Sequence, residues 1–173
     1  GKHTESAYAL AKLCNEILLK FSVDAKESVE KKEWSEALEK VVEANIYLSG
    51  VGFENNGCAI AHAIYNGMTG VLNPFTVLHG EGVAFGTIVQ LVTEYMVNEE
   101  WNDNEWTEVV EFYKSVGLPL SLADLGVKNI SDSLLYEIAT ETCDSGPNAH
   151  KMSFVVTPEV IYKSLLRIKT LFN

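Results

Sequence analysis

The sequence predicts an all-α protein, a helical bundle, on three observations. Apolar residues recur at three- and four-residue spacing in one segment after another, which is the pattern of amphipathic helices. No segment alternates apolar and polar residues for long enough to predict a strand, and Val155-Val156 is too short to count. Hydrophobic residues make up 47% of the 173 residues, which is enough for the core of one domain over residues 1–173.

The first half of the chain predicts three helices from this spacing. The first carries one apolar stripe of about four turns over residues 10–21. Ser35 opens the second helix, and we expect Gly50 and Gly52 to break it. The third run of apolar residues, 84–95, is nearly free of polar residues on its inner side and predicts a buried helix.

The second half predicts three more helices from start and stop signals. One starts at Asp103 or Asn104 and stops at the turn that begins with Gly117. Ser131 begins the next. The last starts at Thr157-Pro158-Glu159, where a hydroxyl cap is followed by proline at the first helical position and a carboxylate near the positive end of the helix dipole.

Charge and hydropathy exclude several classes of protein. The formal net charge of -11 repels nucleic acids and anionic membrane surfaces. No apolar run approaches the roughly 18 residues of a membrane span. Cys14, Cys58 and Cys143 are far apart and form no Cys-x-x-Cys pair, so we expect small buried hydrophobes in a reducing compartment, the cytoplasm.

One central stretch, residues 49–86, differs from the rest because it combines many glycines with two histidines. His62 lies in a small, apolar helical segment and is expected to be buried, whereas His79 lies where the next long helix starts. Two imidazoles placed in this way could converge on a divalent metal, and histidine nitrogen suits zinc and ferrous iron equally well. From the residues alone, core or capping histidines remain the alternative.

Three segments of this stretch resemble one enzyme family. They are LSGVGFENNG at 48–57, AHAIYNG at 61–67 and HGEGVAFGTIVQL at 79–91. With ALAKLC at 9–14 and VGLPL at 116–120, they are similar to the glycerol dehydrogenase branch of the iron-containing alcohol dehydrogenase family. The resemblance covers most of the chain.

The resemblance implies an activity, a fold and a set of site residues. The family oxidises glycerol to dihydroxyacetone with NAD, in a cleft between an N-terminal dinucleotide-binding α/β domain and a C-terminal helical domain of the dehydroquinate synthase-like fold. The family's two metal-ligand histidines correspond to His62 and His79, and its third ligand, an aspartate, lies upstream of this chain. Phe53 corresponds to a residue that lines the substrate pocket. Tyr65, where many relatives carry a second histidine, and His150, in a loop near the cleft, are further substrate-binding candidates.

The same resemblance implies that much of the enzyme lies outside this sequence. The chain has no glycine turn between a strand and a helix to hold the phosphates of a nicotinamide cofactor. We therefore expect the C-terminal helical domain of a truncated dehydrogenase, inactive alone and lacking the N-terminal domain that is its partner. Without the aspartate, zinc or iron should bind weakly. Glu54 and Glu81 are expected to be helix-start carboxylates, and they are the first candidates for a replacement ligand.

Two alternatives remain open. In one, the chain is a non-catalytic helical scaffold or self-association module, because an apolar surface left by a missing domain favours association, as in a homo-oligomer. In the other, it is the same half of a dehydrogenase for another small polyol or for glycerol phosphate. A phosphate substrate would be expected to require basic residues near the pocket, and residues 49–86 include none.

Overall fold

Residues 4–172 of the computed structural model, apart from the side chain of Asn56, are described below. They form helices and connecting segments without a β-strand, which confirms the prediction of an all-α fold for this part of the chain. The helices are α1 (Glu5–Lys31), α2 (Glu36–Glu43), α3 (Ser49–Asn56), α4 (Ile60–Val71), α5 (His79–Asn98), α6 (Asp103–Val116), α7 (Asp132–Asp144) and α8 (Pro158–Phe172). The chain divides into two compact units, Gly1–Gly57 and Cys58–Asn173.

The N-terminal unit pairs α1 with a second long helical stretch. The α1 helix has 27 residues, about seven turns, and is longer than the predicted stripe. Ser35 caps α2 as predicted, since its hydroxyl accepts a hydrogen bond from Leu38 N at 3.1 Å. A π-helical segment, Ala44–Leu48, then connects α2 to α3.

The prediction that Gly50 and Gly52 break this helix is wrong. Both lie inside α3, and the helix ends at Gly57 in a conformation with φ 71°. Each helical glycine costs roughly 1 kcal/mol relative to alanine. Because α3 packs against α1, that packing outweighs the cost and the helix continues. Gly52 is buried, and a Cβ there would lie 4.0 Å from Ala11 of α1, at ordinary contact distance.

The second unit is built around α5. Helix α4 packs on α5 and α7, and α8 packs on the same two helices. Helix α6 is joined to α5 by the Tyr113 hydroxyl, which donates to Ala84 O at 3.0 Å. The largest fully buried side chains all belong to this core: Ile60, Ile64, Met68, Phe85, Ile88, Val89, Val92, Leu135, Ile138, Ile161, Leu165 and Ile168.

The predicted helix boundaries of the second unit agree with the structure. Helix α6 begins at Asp103 and ends before Gly117, whose φ of 81° suits glycine. The Ser131 side chain accepts a hydrogen bond from Leu134 N at 3.1 Å and caps α7. Helix α8 begins at Pro158, with the Thr157 hydroxyl accepting from a backbone N–H of its first turn.

Helices α4 and α5 approach each other closely at two glycines of α5. A Cβ built on Gly86 would lie 2.1 Å from Ala61 O, and one built on Gly82 would lie 2.3 Å from Cδ2 of Tyr65. Only glycine allows this distance between the helices. The close approach sets how residues at the start of α4 face residues at the start of α5.

No helix within residues 4–172 combines the length and the apolar character that crossing a membrane requires.

Candidate metal centre

The two central histidines lie on neighbouring helices and face each other. His62 is in the first turn of α4, and His79 is the first residue of α5. Their ring centroids are 5.7 Å apart, with the ring planes inclined at 52°. The structure therefore brings together two residues that are 17 positions apart in the sequence.

The surroundings of His62 favour its neutral form. The sequence suggested that the His62 side chain is buried, but the structure shows it half-buried. The His79 side chain is exposed. Burial lowers the pKa of His62, and the positive charge that His79 can carry lowers it further. Neutral imidazole is the form that can bind a metal, and the environment of His62 favours that form.

The histidine pair matches the spacing that one cation requires. Two imidazoles that bind one tetrahedral zinc at about 2.0–2.1 Å have ring centres roughly 5 Å apart. The observed 5.7 Å is close to this value. Two nitrogen donors fit zinc or ferrous iron.

In the described part of the chain, no third histidine, cysteine, aspartate or glutamate side chain joins the pair in a group that could hold a metal. Glu81 is engaged elsewhere, because its carboxylate accepts a hydrogen bond from Leu78 N at 3.3 Å and caps α5, as predicted. Glu54 lies near the end of α3, so the expectation that it is a helix-start carboxylate is wrong.

Tyr65 lies directly beside the pair. It follows His62 by three positions on α4, which places both on one side of the helix. Its ring meets the His79 ring edge to face, with centroids 4.5 Å apart and an interplanar angle of 89°. Phe75, in the connection between α4 and α5, lies beside Tyr65, with ring centroids 6.4 Å apart and the ring planes inclined at 48°.

The other two predicted site residues belong to other elements of the fold. His150 lies in a 3-10 helix, Pro147–Lys151, and its Nε2 is 3.1 Å from the carbonyl oxygen of Cys143. The structure of residues 4–172 shows no ring or hydrogen-bond contact between His150 and the histidine pair. Phe53 belongs to α3 in the N-terminal unit, where its side chain is 55% exposed. Substrate-binding roles for both residues stay predictions.

Sequence reasoning missed Phe75 and Gly82, which hold Tyr65 in place. Phe75 lies in a short connection that carries no recognisable motif. Gly82 is one of the many glycines within residues 49–86. Its position in the first turn of a long helix, four residues before Gly86, was the available signal, because glycines four apart lie on one helix face.

The chain is similar to glycerol dehydrogenases in sequence and in structure. It is 44% identical over 160 residues to the glycerol dehydrogenase of Thermotoga maritima and 42% identical over 166 residues to that of Citrobacter freundii. Among solved structures it matches the glycerol dehydrogenase of Schizosaccharomyces pombe with a TM-score of 0.86 and 35% identity over 98% of the chain. No family model matches the chain.

The chain belongs to the glycerol dehydrogenase family. The alignment with the Thermotoga maritima enzyme covers 92% of this chain and 43% of that enzyme. The alignment with the Citrobacter freundii enzyme covers 96% of this chain and 44% of that enzyme. The chain therefore spans less than half the length of these glycerol dehydrogenases. The part that it matches is the helical C-terminal part, and in the Schizosaccharomyces pombe structure it corresponds to 42% of the chain.

Proposed function

We propose that this chain provides the two-histidine part of the metal centre of a dehydrogenase that oxidises glycerol or a similar small polyol. The observation that carries the proposal is the pairing of His62 and His79 with ring centroids 5.7 Å apart on α4 and α5. The glycerol dehydrogenases named above support the substrate class. The lack of any basic residue within 49–86 argues against a phosphate-bearing substrate.

The residues of the chain would perform three tasks in this reaction. His62 and His79 would hold the cation, with His62 kept neutral by burial. Tyr65 and His150 would contact the polyol, and Phe53 would form an apolar wall against its carbon skeleton. When bound, zinc or iron supplies Lewis acidity, which lowers the pKa of an alcohol hydroxyl. NAD would accept hydride in the complete enzyme, held by a dinucleotide-binding domain that this chain does not contain.

A zinc titration of the purified chain tests the metal centre directly. We expect the imidazole proton resonances of His62 and His79 to shift together, with affinity weaker than micromolar because two neutral ligands lack the compensating charge of a carboxylate. His62→Gln and His79→Gln should each abolish the response, and His150→Gln should leave it unchanged. Movement of only one ring, or equal binding by the double variant, would contradict the proposal. Micromolar or tighter binding would indicate a further ligand.

A chimera tests the activity. The part of the Thermotoga maritima glycerol dehydrogenase that this chain does not match is fused to the chain, and NAD reduction is followed with glycerol. We expect activity that depends on both histidines and that EDTA removes. Activity that survives His62→Gln together with His79→Gln would refute the role of the pair. A folded chimera that binds zinc and NAD without turnover would refute the assigned reaction.

A second candidate function, self-association, is favoured by the surface of the N-terminal unit. Trp34, Ile46 and Tyr47 are 75%, 73% and 60% exposed, although large apolar side chains are normally covered. In this view the chain forms a homo-oligomer through these residues. Sedimentation equilibrium should then show an oligomer that Ile46→Glu dissociates. A monomer over the whole accessible concentration range would exclude this candidate for the isolated chain.

A further inference from the structure

The His79 side chain needs a neighbour to fix its orientation. It is exposed and lies at the first residue of α5, where no preceding helical turn restricts its rotamers. A side chain that must be ordered when a ligand binds loses rotamer entropy at that moment, which weakens binding. Any contact that orders the imidazole beforehand strengthens the site.

Tyr65 makes such a contact with the ring of His79. The centroid distance of 4.5 Å and the angle of 89° correspond to an edge-to-face pair, which is a preferred arrangement of aromatic rings. Because Tyr65 and His62 lie on one side of α4, the same helix presents one ligand and the neighbour of the other. His79 therefore has two ring neighbours on α4, and only one of them is a candidate ligand.

The Tyr65 ring itself has two close neighbours, Gly82 and Phe75. The backbone of Gly82 lies so close that a Cβ there would be 2.3 Å from Cδ2 and 2.9 Å from Cε2 of Tyr65. Phe75 packs on the same ring from the connection between α4 and α5, with centroids 6.4 Å apart. A ring confined by a helix backbone and a second aromatic ring provides a firm surface for His79.

We propose that Tyr65 is a positioning residue that orients the His79 imidazole through its aromatic ring, and that Gly82 is required because it leaves room for that ring. The inference rests on the proposed function of the histidine pair as a cation site. This role is separate from the contact with the polyol suggested for Tyr65, because it uses the aromatic ring to orient His79 and does not need the hydroxyl.

The metal-free chain allows the first test. Nuclear Overhauser contacts between the Tyr65 and His79 rings, and a single His79 χ1 rotamer from coupling constants, are expected in the wild type and in Tyr65→Phe. In Tyr65→Leu and Gly82→Ala the His79 rotamers should average. If His79 is equally averaged in the wild type, or stays ordered in Tyr65→Leu, the proposal is overturned whether or not zinc binds.

Zinc affinity supplies the second test and links the ordering to the site. Loss of a residue that orients a ligand typically weakens metal binding by about 10–100-fold, and we expect about tenfold for Tyr65→Leu because no hydrogen bond is lost. Tyr65→Phe should stay within about twofold of the wild type. Equal affinity in the wild type and Tyr65→Leu would overturn positioning while leaving the cation site intact. Absence of zinc binding in the wild type would overturn the cation site, and the metal-free measurement would still decide the role of Tyr65.

Gly80 provides the matched control for Gly82. Both glycines lie in the first turn of α5, but no atom lies within 4 Å of a Cβ built on Gly80. Gly80→Ala should therefore leave both the His79 rotamer and the zinc affinity unchanged, whereas Gly82→Ala should alter both. Circular dichroism of the two variants is expected to be identical, which checks that both fold alike. If both substitutions change zinc affinity equally, the effect belongs to the start of the helix and the role of Gly82 is wrong.

Discussion

Replacing Gly86 by alanine should destabilise the second unit, because the backbone of α4 lies directly against this glycine of α5. A Cβ there would lie 2.1 Å from the carbonyl oxygen of Ala61 and 3.0 Å from its Cα. These are backbone atoms of a helix, so no side-chain rotation relieves the overlap. The two helices would have to separate by about 1 Å, in an interior that is as closely packed as an organic crystal.

The expected change in the free energy of unfolding follows from two opposing effects. Overpacking a well-packed core costs typically about 1–3 kcal/mol, and a rigid backbone contact belongs at the upper end of that range. Alanine is favoured over glycine in a helix by about 1 kcal/mol, which offsets part of the cost. The net loss is therefore about 2 kcal/mol, and the midpoint of thermal unfolding should fall by about 4–8 °C.

The assay needs a signal from the second unit alone. Trp34 lies in the N-terminal unit, while Trp101 and Trp106 lie in the second, so urea unfolding is followed by fluorescence in a Trp34→Phe background. Gly80→Ala, on the same helix with open space around it, should instead raise stability by about 0.5 kcal/mol. If Gly86→Ala is as stable as Gly80→Ala, the two helices are not closely packed at this point and the reasoning is refuted.

Two further predictions concern the cap of α7 and the pH dependence of folding. Ser131→Ala removes the acceptor for Leu134 N and should lower the free energy of unfolding, measured by urea denaturation, by about 1 kcal/mol. Ser131→Thr keeps a hydroxyl acceptor and should retain most of the stability that the cap contributes. The pKa of His62 is lowered in the folded chain by burial and then by His79, so the folded state binds fewer protons than the unfolded state. Its contribution to stability is present above the unfolded pKa of about 6.5 and is lost as the pH falls through the lower folded pKa. With EDTA present, His62→Gln should therefore flatten the dependence of unfolding free energy on pH below about 6.5, and an unchanged slope would contradict this.

Helix starts were predictable because their signals are local. Ser35 and Ser131 accept hydrogen bonds from the backbone three residues further on, and this chemistry depends only on neighbouring residues. The same holds for Gly117, whose positive φ ends α6. These residues specify the ends of helices before any tertiary contact forms.

The length of the helices in the N-terminal unit was less predictable, because tertiary packing decides it. Gly50 and Gly52 lower helix propensity, yet the helix continues through them along α1. The α1 helix likewise continues beyond its apolar stripe, with Ala25 buried and Lys31 paired to Glu27 on the exposed side. The structural boundary at Gly57 between the two units has no composition shift in the sequence to announce it.

The identity of the metal-ligand candidates was predictable only through the resemblance. Their separation in the chain corresponds to no general ligand spacing, and periodicity alone placed His62 in a core. The structure confirms that His62 and His79 lie together and adds Tyr65 as a direct neighbour of His79. Among the residues described, His150 makes no ring or hydrogen-bond contact with the pair, and the substrate-binding roles of Phe53 and His150 stay predictions.

The geometry of the site is set by glycines and not by the histidines themselves. Gly82 and Gly86 are four residues apart and lie on one face of α5, and they receive Tyr65 and Ala61, which are four residues apart on α4. The matched spacing means that the two helices run past each other in one fixed register. Ala61 precedes His62 directly, so the contact at Gly86 fixes the backbone that carries the first histidine. The contact at Gly82 places the ring that faces the second. A larger residue at Gly86 would push against the Ala61 backbone and separate the helices, and one at Gly82 would displace the Tyr65 ring, so either change would disturb the pair although neither histidine had been altered.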